Sequence, residues 1–584
     1  MLIPPWVYTL GGMKLIVVGG VAGGMSAAAR ARRLDENAEI IVLERGEHVS
    51  FANCGLPYFV GGEIAAEADL LVQTPESLRN SLNLDVRTDH DVTAVDAAAK
   101  VVHVQTPHGT ATLAYDALIL APGARAVRPP IPGVDSPVVT TLRTVGDAVA
   151  LREHVLGGAR RAVVLGAGFI GLEAAEALRM RGLEVDVVEL ADHVLPPLET
   201  EMASLVRDEL GHLGITVHDG VAAVSIDSDT DTDTDTGTGH AATVVLADGS
   251  RLPADIVVLS VGVTPDTAPF ATAGVACERG AIVVDEHGAT SIDGIWAVGD
   301  ATVCTDAVTG LRRPVALAGP ANRAGRLVAD AVLRPAKARP MPAPVGTAIV
   351  RIGGLAAAMT GANRRSLEAA GIGYQTVHLH PNSHAGYFPG AQAIHLLMHI
   401  RVTDGLILGA QAVGADGVDK RIDVLATAIR THLTAADLMD LDLAYAPPYG
   451  SAKDPVNLAG MIAENVVDGT VTVWQADGLA EVASSAAVLD VRSAQEYATG
   501  HVRDALLVPH TEIRERLDEI TAFAAGRPLR VYCESGMRSY LATRILAAAG
   551  LDVAHLSGGM STLRARLGDA GGLLVVPDAE PVHA

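Results

Sequence analysis

An α/β fold is predicted for this chain by three observations. A strand, a glycine loop and an Ala-rich helix begin at Met13, the same order of elements restarts at Arg161, and a further strand, loop and helix begins at Leu529. The chain has 584 residues, 49% of them hydrophobic and 19% charged, enough for roughly three to four domains of about 150 residues with sizeable cores. Its formal charge is -24, from 44 basic against 68 acidic residues. Such a field repels nucleic-acid phosphates and anionic lipid, so neither is expected as a partner. The apolar residues are Ala, Val and Leu spread along the chain, with no run of about 18 uncharged apolar positions, so no membrane insertion is expected.

The first unit follows a leader, MLIPPWVYTLGG, that lacks the basic start and long apolar core of a signal peptide and is set outside the fold. In KLIVVGGVAGGMSAAARARR the strand Leu15 to Val18 feeds Gly19, Gly20, Val21, Ala22, Gly23 and Gly24 and then a helix. Glycines there permit the tight turn that sets a pyrophosphate against a helix N-terminus, in the manner of a Rossmann-like domain. Val21 stands where the strict GxGxxG pattern has its middle glycine. The next strand, EIIVLER, ends in Glu44, placed to accept from ribose hydroxyls, and far downstream TSIDGIWAVGDA offers a strand ending in Asp300.

After a proline-rich crossing at Arg128 to Pro132, the second copy carries the strict loop Gly166, Ala167, Gly168, Phe169, Ile170 and Gly171, and VDVVEL places Glu189 at the end of its next strand. A carboxylate there binds a free ribose 2′-hydroxyl and repels a 2′-phosphate, so NADH is favoured over NADPH. No arginine follows Glu189 closely, although His193 is near. The tract from Asp227 to Gly239, alternating acid and hydroxyl, cannot build a core and is expected as a solvated hairpin loop. A second proline-rich stretch, Arg334 to Pro344, leads to a third domain with strand-like runs and a helix from Val418 to Arg430. After Asp468 comes a small α/β domain containing VLDVRSAQEY and LRVYCESGMRSYLATRILAAAG.

Four cysteines, Cys54, Cys277, Cys304 and Cys533, lie far apart without metal-ligand spacing. That argues against a disulfide framework or a metal site and for thiolate chemistry in a reducing cytoplasm. Cys54, in HVSFANCGLPYFVGG, is expected at a helix start that would lower its pKa below about 8.5. Phe59 occupies the position a CxxxxC partner would use, so the second sulfur, or an oxygen, must come from the substrate. Cys277 and Cys304 read as packed or solvent-shielded residues without a catalytic part.

The segments GGVAGGMSAAARARR, SFANCGLPY, YDALILAPGA, IWAVGDA, LAGPANRAGR, SHAGYFPGA, LGAQAVGADGVDKRIDVLATAI and LAYAPPYGSAKDPVN, with the strict second loop, closely resemble the coenzyme A disulfide reductase branch of the FAD-dependent pyridine nucleotide disulfide oxidoreductases, from about Met13 to Asn465. The resemblance implies an FAD-binding domain over 13–145 and 287–337, an NAD(P)H-binding domain over 146–286 and an α+β dimerisation domain over 338–465. FAD is implied at the Gly19 to Gly24 loop, Glu44, Arg45, Val92, Ala121, Asp300, Leu317, Ala318 and Tyr445. The nicotinamide cofactor is implied at Gly166, Gly168, Phe169, Ile170, Gly171, Glu173, Glu189 and Gly262.

Cys54 matches the redox cysteine that forms a mixed disulfide with coenzyme A. Ser26, Arg30, Arg33, Ser50, Asn53, Asn322 and Lys453 match substrate-side positions, and guanidinium at Arg30 and Arg33 suits an anionic 3′-phospho-ADP tail. Tyr387 and Tyr445 match tyrosines that a partner subunit brings to the active cysteine, which implies a homodimer. As bare aromatics in apolar runs they suit a core equally well. One basic substrate-contacting position of the branch is apolar Leu82 here, with Arg79 nearby as a substitute.

The C-terminal segment over 470–575 resembles a rhodanese. LDVRSAQEYATGHVRDALLVP is similar to that family's entry pattern, and Cys533, Glu534, Ser535, Gly536, Met537, Arg538 and Ser539 match the loop that cradles a persulfide with backbone amides. Arg538 is implied to stabilise anionic sulfur, whereas Glu534 departs from cationic thiosulfate-binding loops.

These features lead to an FAD-dependent NAD(P)H reductase of coenzyme A persulfide, polysulfide or coenzyme A disulfide, with the rhodanese handling sulfane sulfur. Two alternatives are an NADH oxidase or peroxidase using a cysteine sulfenic acid and a redox-sensing sulfur-relay protein.

Overall fold

Strands that are apolar on both faces must be covered on both faces, and KLIVV, EIIVL and ALIL meet that requirement in a parallel sheet. In the computed structural model, which describes residues 12–228, 241–568 and 572–575, its strand order is Ile295–Ala297, Ala117–Leu120, Lys14–Val18, Glu39–Leu43, Asp85–Arg87. The helix Ala22–Leu34 turns its small residues toward the helix Ala318–Leu333. The two backbones come so close that a Cβ on Gly325 would sit 2.1 Å from the Gly23 carbonyl oxygen. Leu15, Val17, Ala27, Ala31 and Val328 share the core on that side of the sheet.

The second nucleotide sheet is also parallel, in the order Ile215–His218, Glu184–Val188, Arg161–Leu165, Ile256–Leu259, Val139–Thr140. Two crossings differ from the expected boundaries. Val139 and Thr140 already pair with the second sheet, ahead of residue 146. Phe270, Val275 and Ile282 pack with Ile16 and Leu118 in the core of the first domain, so the return precedes residue 286. In both cases burial of an apolar face, which the local sequence does not locate, decides the crossing. The strands Ala223–Ser228 and Ala242–Leu246 run antiparallel and flank the acidic tract, whose expected hairpin loop lies, like the leader, largely outside the described residues.

The chain divides into two compact units. The first runs to Asp192 and resumes from Gly211 to Gly346; the second takes His193–Leu210 and everything from Thr347. Within the second unit an antiparallel sheet has the order Ala348–Ile352, Leu355–Gly361, Ile407–Gly414, Ile394–Arg401, Tyr374–Leu379. It is backed by the helix Val418–Arg430, whose bounds agree with those predicted. A parallel sheet follows, Val473–Trp474, Val553–Leu556, Leu529–Tyr532, Ala487–Asp490, Leu506–Leu507.

Buried polar contacts tie these two sheets together. His378 Nδ1 lies 2.9 Å from Ser557 Oγ, Gln475 Nε2 donates to the Thr376 carbonyl at 2.8 Å, and His380 Nε2 lies 2.9 Å from Thr562 Oγ1. The segment His193–Leu210 is tied to the antiparallel-sheet domain through Glu201, paired with both Arg364 and His378. Among the described residues no helix is long and apolar enough to cross a membrane.

Candidate active site

Both glycine loops are built alike. A Cβ on Gly24 would fall 1.9 Å from the Gly19 oxygen, and one on Gly171 would fall 2.0 Å from the Gly166 oxygen, so each helix starts against its own loop only because those side chains are missing. Glu44 closes the first loop, its carboxylate accepting from the amides of Gly20 at 2.7 Å and Gly46 at 2.9 Å. Glu189 repeats this with Ala167 at 2.7 Å and Ala191 at 2.9 Å. Each carboxylate keeps lone pairs for a ribose hydroxyl, so the loops fit dinucleotides. The space above Gly168 is open, with nothing within 4 Å of a would-be Cβ. Gly262 follows the strand Ile256–Leu259 at the same edge of the sheet.

The remaining FAD candidates are distributed around the first loop. Ala121 donates its amide to the Val18 carbonyl at 2.7 Å, and Leu317 and Ala318 start the helix Ala318–Leu333. Asp300 lies in a 3₁₀ turn, Gly299–Ala301, beyond the strand Ile295–Ala297 rather than at its end, and Arg143 Nη2 reaches it at 3.3 Å. Arg45 pairs with Asp266 at 2.5 Å. The Val92 side chain is buried in the core, which leaves only its backbone for a cofactor.

Cys54 occupies a 3₁₀ turn, Asn53–Gly55, before the short helix Leu56–Gly61. Contrary to the expected depression, its thiol pKa is raised, by desolvation first and then by the carboxylates of Glu173 and Asp300. The residue keeps an exposed surface while protein atoms crowd the sulfur. The six-residue helix adds too little positive potential to reverse these effects. Glu173, in the helix Phe169–Met180, accepts from the Tyr58 hydroxyl at 3.1 Å, which brings the second glycine-loop helix beside the cysteine segment.

Cys54 opens onto a cavity of about 730 Å³ whose lining unites Ser26, Arg30, Arg33, Ser50, Asn53 and Asn322. Ser26 Oγ donates to Asn322 Oδ1 at 2.7 Å across the helix pair. Arg30 is held by Asp330, at 2.6 and 3.1 Å, so its charge is compensated. The expected substitute Arg79 is exposed and does not line the cavity; Arg326 does, together with Leu82. Sequence reasoning missed Arg326, although LAGPANRAGR contains it four residues after Asn322, the spacing that puts both on one helix face.

Tyr387, Tyr445 and Lys453 belong to the second unit. The two tyrosine hydroxyls lie 3.0 Å apart on side chains that are 77% and 48% exposed, so they are surface residues and not core. Lys453 is exposed just ahead of the helix Pro455–Val467. Cys277, expected to be packed, is exposed, because it stands on a two-residue strand at the surface. Cys304 is partly buried.

In the C-terminal domain Cys533 directly follows the strand Leu529–Tyr532, and its loop leads into the helix Met537–Ala548. The sulfur is buried, accepts from the Gly536 amide at 3.2 Å and lies 3.4 Å from the Ser539 hydroxyl. Arg538 makes two hydrogen bonds to Glu496, at 2.7 and 2.5 Å. Glu534 accepts from Arg492 and Arg564, each at 3.0 Å, and from Ser561 at 3.2 Å. Arg492 and Glu496 were in view in VLDVRSAQEY without a role; Arg564 and Ser561 come from a distant helix and carried no local signal.

Residues 13–328 match the family described as pyridine nucleotide-disulphide oxidoreductase, 347–455 its dimerisation domain, and 475–565 the rhodanese-like domain. The chain belongs to the pyridine nucleotide-disulphide oxidoreductase family and carries a rhodanese-like domain after it. It is similar to the coenzyme A disulfide reductase of Staphylococcus haemolyticus, 34% identical over 460 residues that cover 78% of this chain and 100% of that one. Among solved structures it is similar to the reduced CoADR-RHD of Bacillus anthracis (39% identity, TM-score 0.91, 97% of this chain and 99% of that one). It is also similar to an NAD-dependent persulfide reductase from A. fulgidus (38% identity, TM-score 0.87, 94% and 100%).

Proposed function

We propose that the chain is an FAD-dependent NADH reductase of coenzyme A persulfide or polysulfide, or of coenzyme A disulfide, with Cys54 as its redox cysteine. The observation that carries this reading is that Cys54, without a second cysteine, shares its cavity with Arg33 and Arg326, neither of which makes an ion pair with the described residues. A thiol substrate with an anionic tail supplies both the missing sulfur and the counter-charge.

FAD fits the Gly19 loop with Glu44, the nicotinamide cofactor fits the Gly166 loop with Glu189, and the flavin, when bound, relays electrons from nicotinamide to sulfur. The protein's own part begins with the Cys54 thiolate attacking the coenzyme A sulfur of CoA–S–SH. The S–S bond breaks, hydrosulfide leaves, and Cys54 holds coenzyme A as a mixed disulfide. Two electrons then cleave that disulfide, so that CoA–S–SH and NADH yield CoA–SH, HS⁻ and NAD⁺. With coenzyme A disulfide, NADH and one proton, the leaving group is the first of two CoA–SH. Ser26, Asn53 and Asn322 orient the substrate through hydroxyl and amide groups, and Arg33 and Arg326 hold its phosphates.

Exposed Tyr387 and Tyr445, on the domain that matches the dimerisation family, support a homodimer. The domain limits are read as FAD-binding, NAD(P)H-binding, dimerisation and rhodanese-like in the order given above, with the two crossings moved as the packing requires.

The test is anaerobic NADH oxidation with coenzyme A persulfide and with coenzyme A disulfide, comparing the protein with its Cys54→Ser variant. Fast turnover lost on substitution is expected. NADH consumption only in the presence of oxygen or peroxide would overturn the reading in favour of an oxidase.

A further inference from the structure

The guanidiniums in and against the loop after Cys533 are all paired with carboxylates. Arg492 is fully buried and bonds Asp490 at 2.8 Å and Glu534 at 3.0 Å. Arg564 bonds the same Glu534 at 3.0 Å. Arg538, in the first turn of the helix that follows Cys533, is held by both oxygens of Glu496. Three guanidiniums thus face three carboxylates, and none of the three is left uncompensated. What remains to hold an anion is the Gly536 amide and the start of the helix Met537–Ala548, equivalent to about half a positive charge.

Sulfur transfer brings a donor up to the Cys533 thiolate. With a dianionic donor such as thiosulfate the encounter assembles three negative charges, and about half a positive charge does not offset them. With a thiol-bound persulfide the reacting end carries one negative charge or none. The transfer then reads Cys533–S⁻ plus R–S–SH giving Cys533–S–SH plus R–S⁻. The donor S–S bond breaks, a bond from Cys533 Sγ to the outer sulfur forms, that sulfur keeps its proton, and no oxidant or reductant is consumed.

We propose that the Cys533 site takes sulfane sulfur from thiol-bound persulfides and discriminates against dianionic donors, with Glu534 and Glu496 setting that preference by cancelling the loop's guanidiniums. This rests on the rhodanese reading of Cys533 and is independent of the reductase chemistry at Cys54.

The experiment uses the full-length protein with the Cys54→Ser substitution, so that the added sulfur reports on Cys533. Under anaerobic conditions it is mixed with thiosulfate, glutathione persulfide or coenzyme A persulfide, and the gain of one sulfur atom on the Cys533 peptide is followed by mass spectrometry. Both persulfides are expected to load Cys533 at least about tenfold faster than thiosulfate, the weight of the one unit interaction by which a dianion exceeds an ionised persulfide at the site. Glu534→Gln, which frees the Arg564 guanidinium, is expected to raise the thiosulfate-to-persulfide rate ratio on the order of tenfold. Glu496→Gln, which frees Arg538, does the same if Glu534→Gln fails to fold. Equal loading by thiosulfate and persulfide, or an unchanged ratio in both variants, overturns the charge argument. Loading from no donor overturns the rhodanese reading with it.

Discussion

At the scale of single residues, the chemistry of Cys54 is governed by the charges around it. Desolvation, Glu173 and Asp300 all raise its thiol pKa, so the thiolate fraction grows with pH and the reductase rate climbs on the acid side of its profile. Glu173→Gln removes a negative neighbour and lowers that pKa, and the rising limb of kcat/KM against pH is expected to move to lower pH. A limb that stays in place would show that Glu173 does not act on the thiol. Arg326 makes a second case. Replacing it by Ala removes a charge-assisted contact worth about 1.5–3 kcal/mol, so kcat/KM for coenzyme A substrates should fall roughly 10- to 100-fold. Persulfides of the truncated thiol pantetheine, which lacks the phosphates, should lose little. Equal losses for both would place Arg326 outside phosphate recognition.

At the scale of elements, the second unit depends on one buried polar cluster. Burial alone would raise the Glu201 carboxyl, but hydrogen bonds and attraction from His378 and Arg364 outweigh it and hold the group well below the ordinary carboxylate range. Removing one partner leaves an uncompensated buried charge. Arg364→Ala is therefore expected to destabilise the second unit by about 3 kcal/mol, read as a lowered urea midpoint of its unfolding transition. A change within error would mean that water relaxes into the site. Because Glu201 lies in a segment remote in sequence from Arg364 and His378, no local pattern announced this cluster. The helix Val418–Arg430, by contrast, was legible to the residue, since its apolar positions repeat at the helical period.

At the scale of the whole molecule, acid is expected to weaken the fold from an unusual source. His380 is pushed down to about 3 by burial and by His395, and His555 to about 4 by burial. The unfolded chain, with ordinary histidine pKa values near 6.5, therefore binds more protons than the folded one between about pH 6.5 and pH 3. The stability these neutral rings contribute is fully present above pH 6.5 and is lost as pH falls through that window. The thermal midpoint of the intact protein should drop between pH 7 and pH 5, and His555→Asn should flatten the drop; a midpoint independent of pH would refute this. Sequence alone determined the two nucleotide loops, Glu44 and Glu189, the lone cysteines Cys54 and Cys533 and the order of the domains. Each of these rests on contiguous residues whose local geometry is set by glycine placement or by a strand passing into a helix. Only the tertiary structure decided that Arg326 rather than Arg79 enters the cavity, that Arg30 is held by Asp330, that Cys54 is raised rather than lowered, and that Glu496 and Glu534 cancel the guanidiniums around Cys533. The physical reason is common to all four: charge and burial act through space, between residues that the chain brings together from far apart, and no short stretch of sequence records that distance.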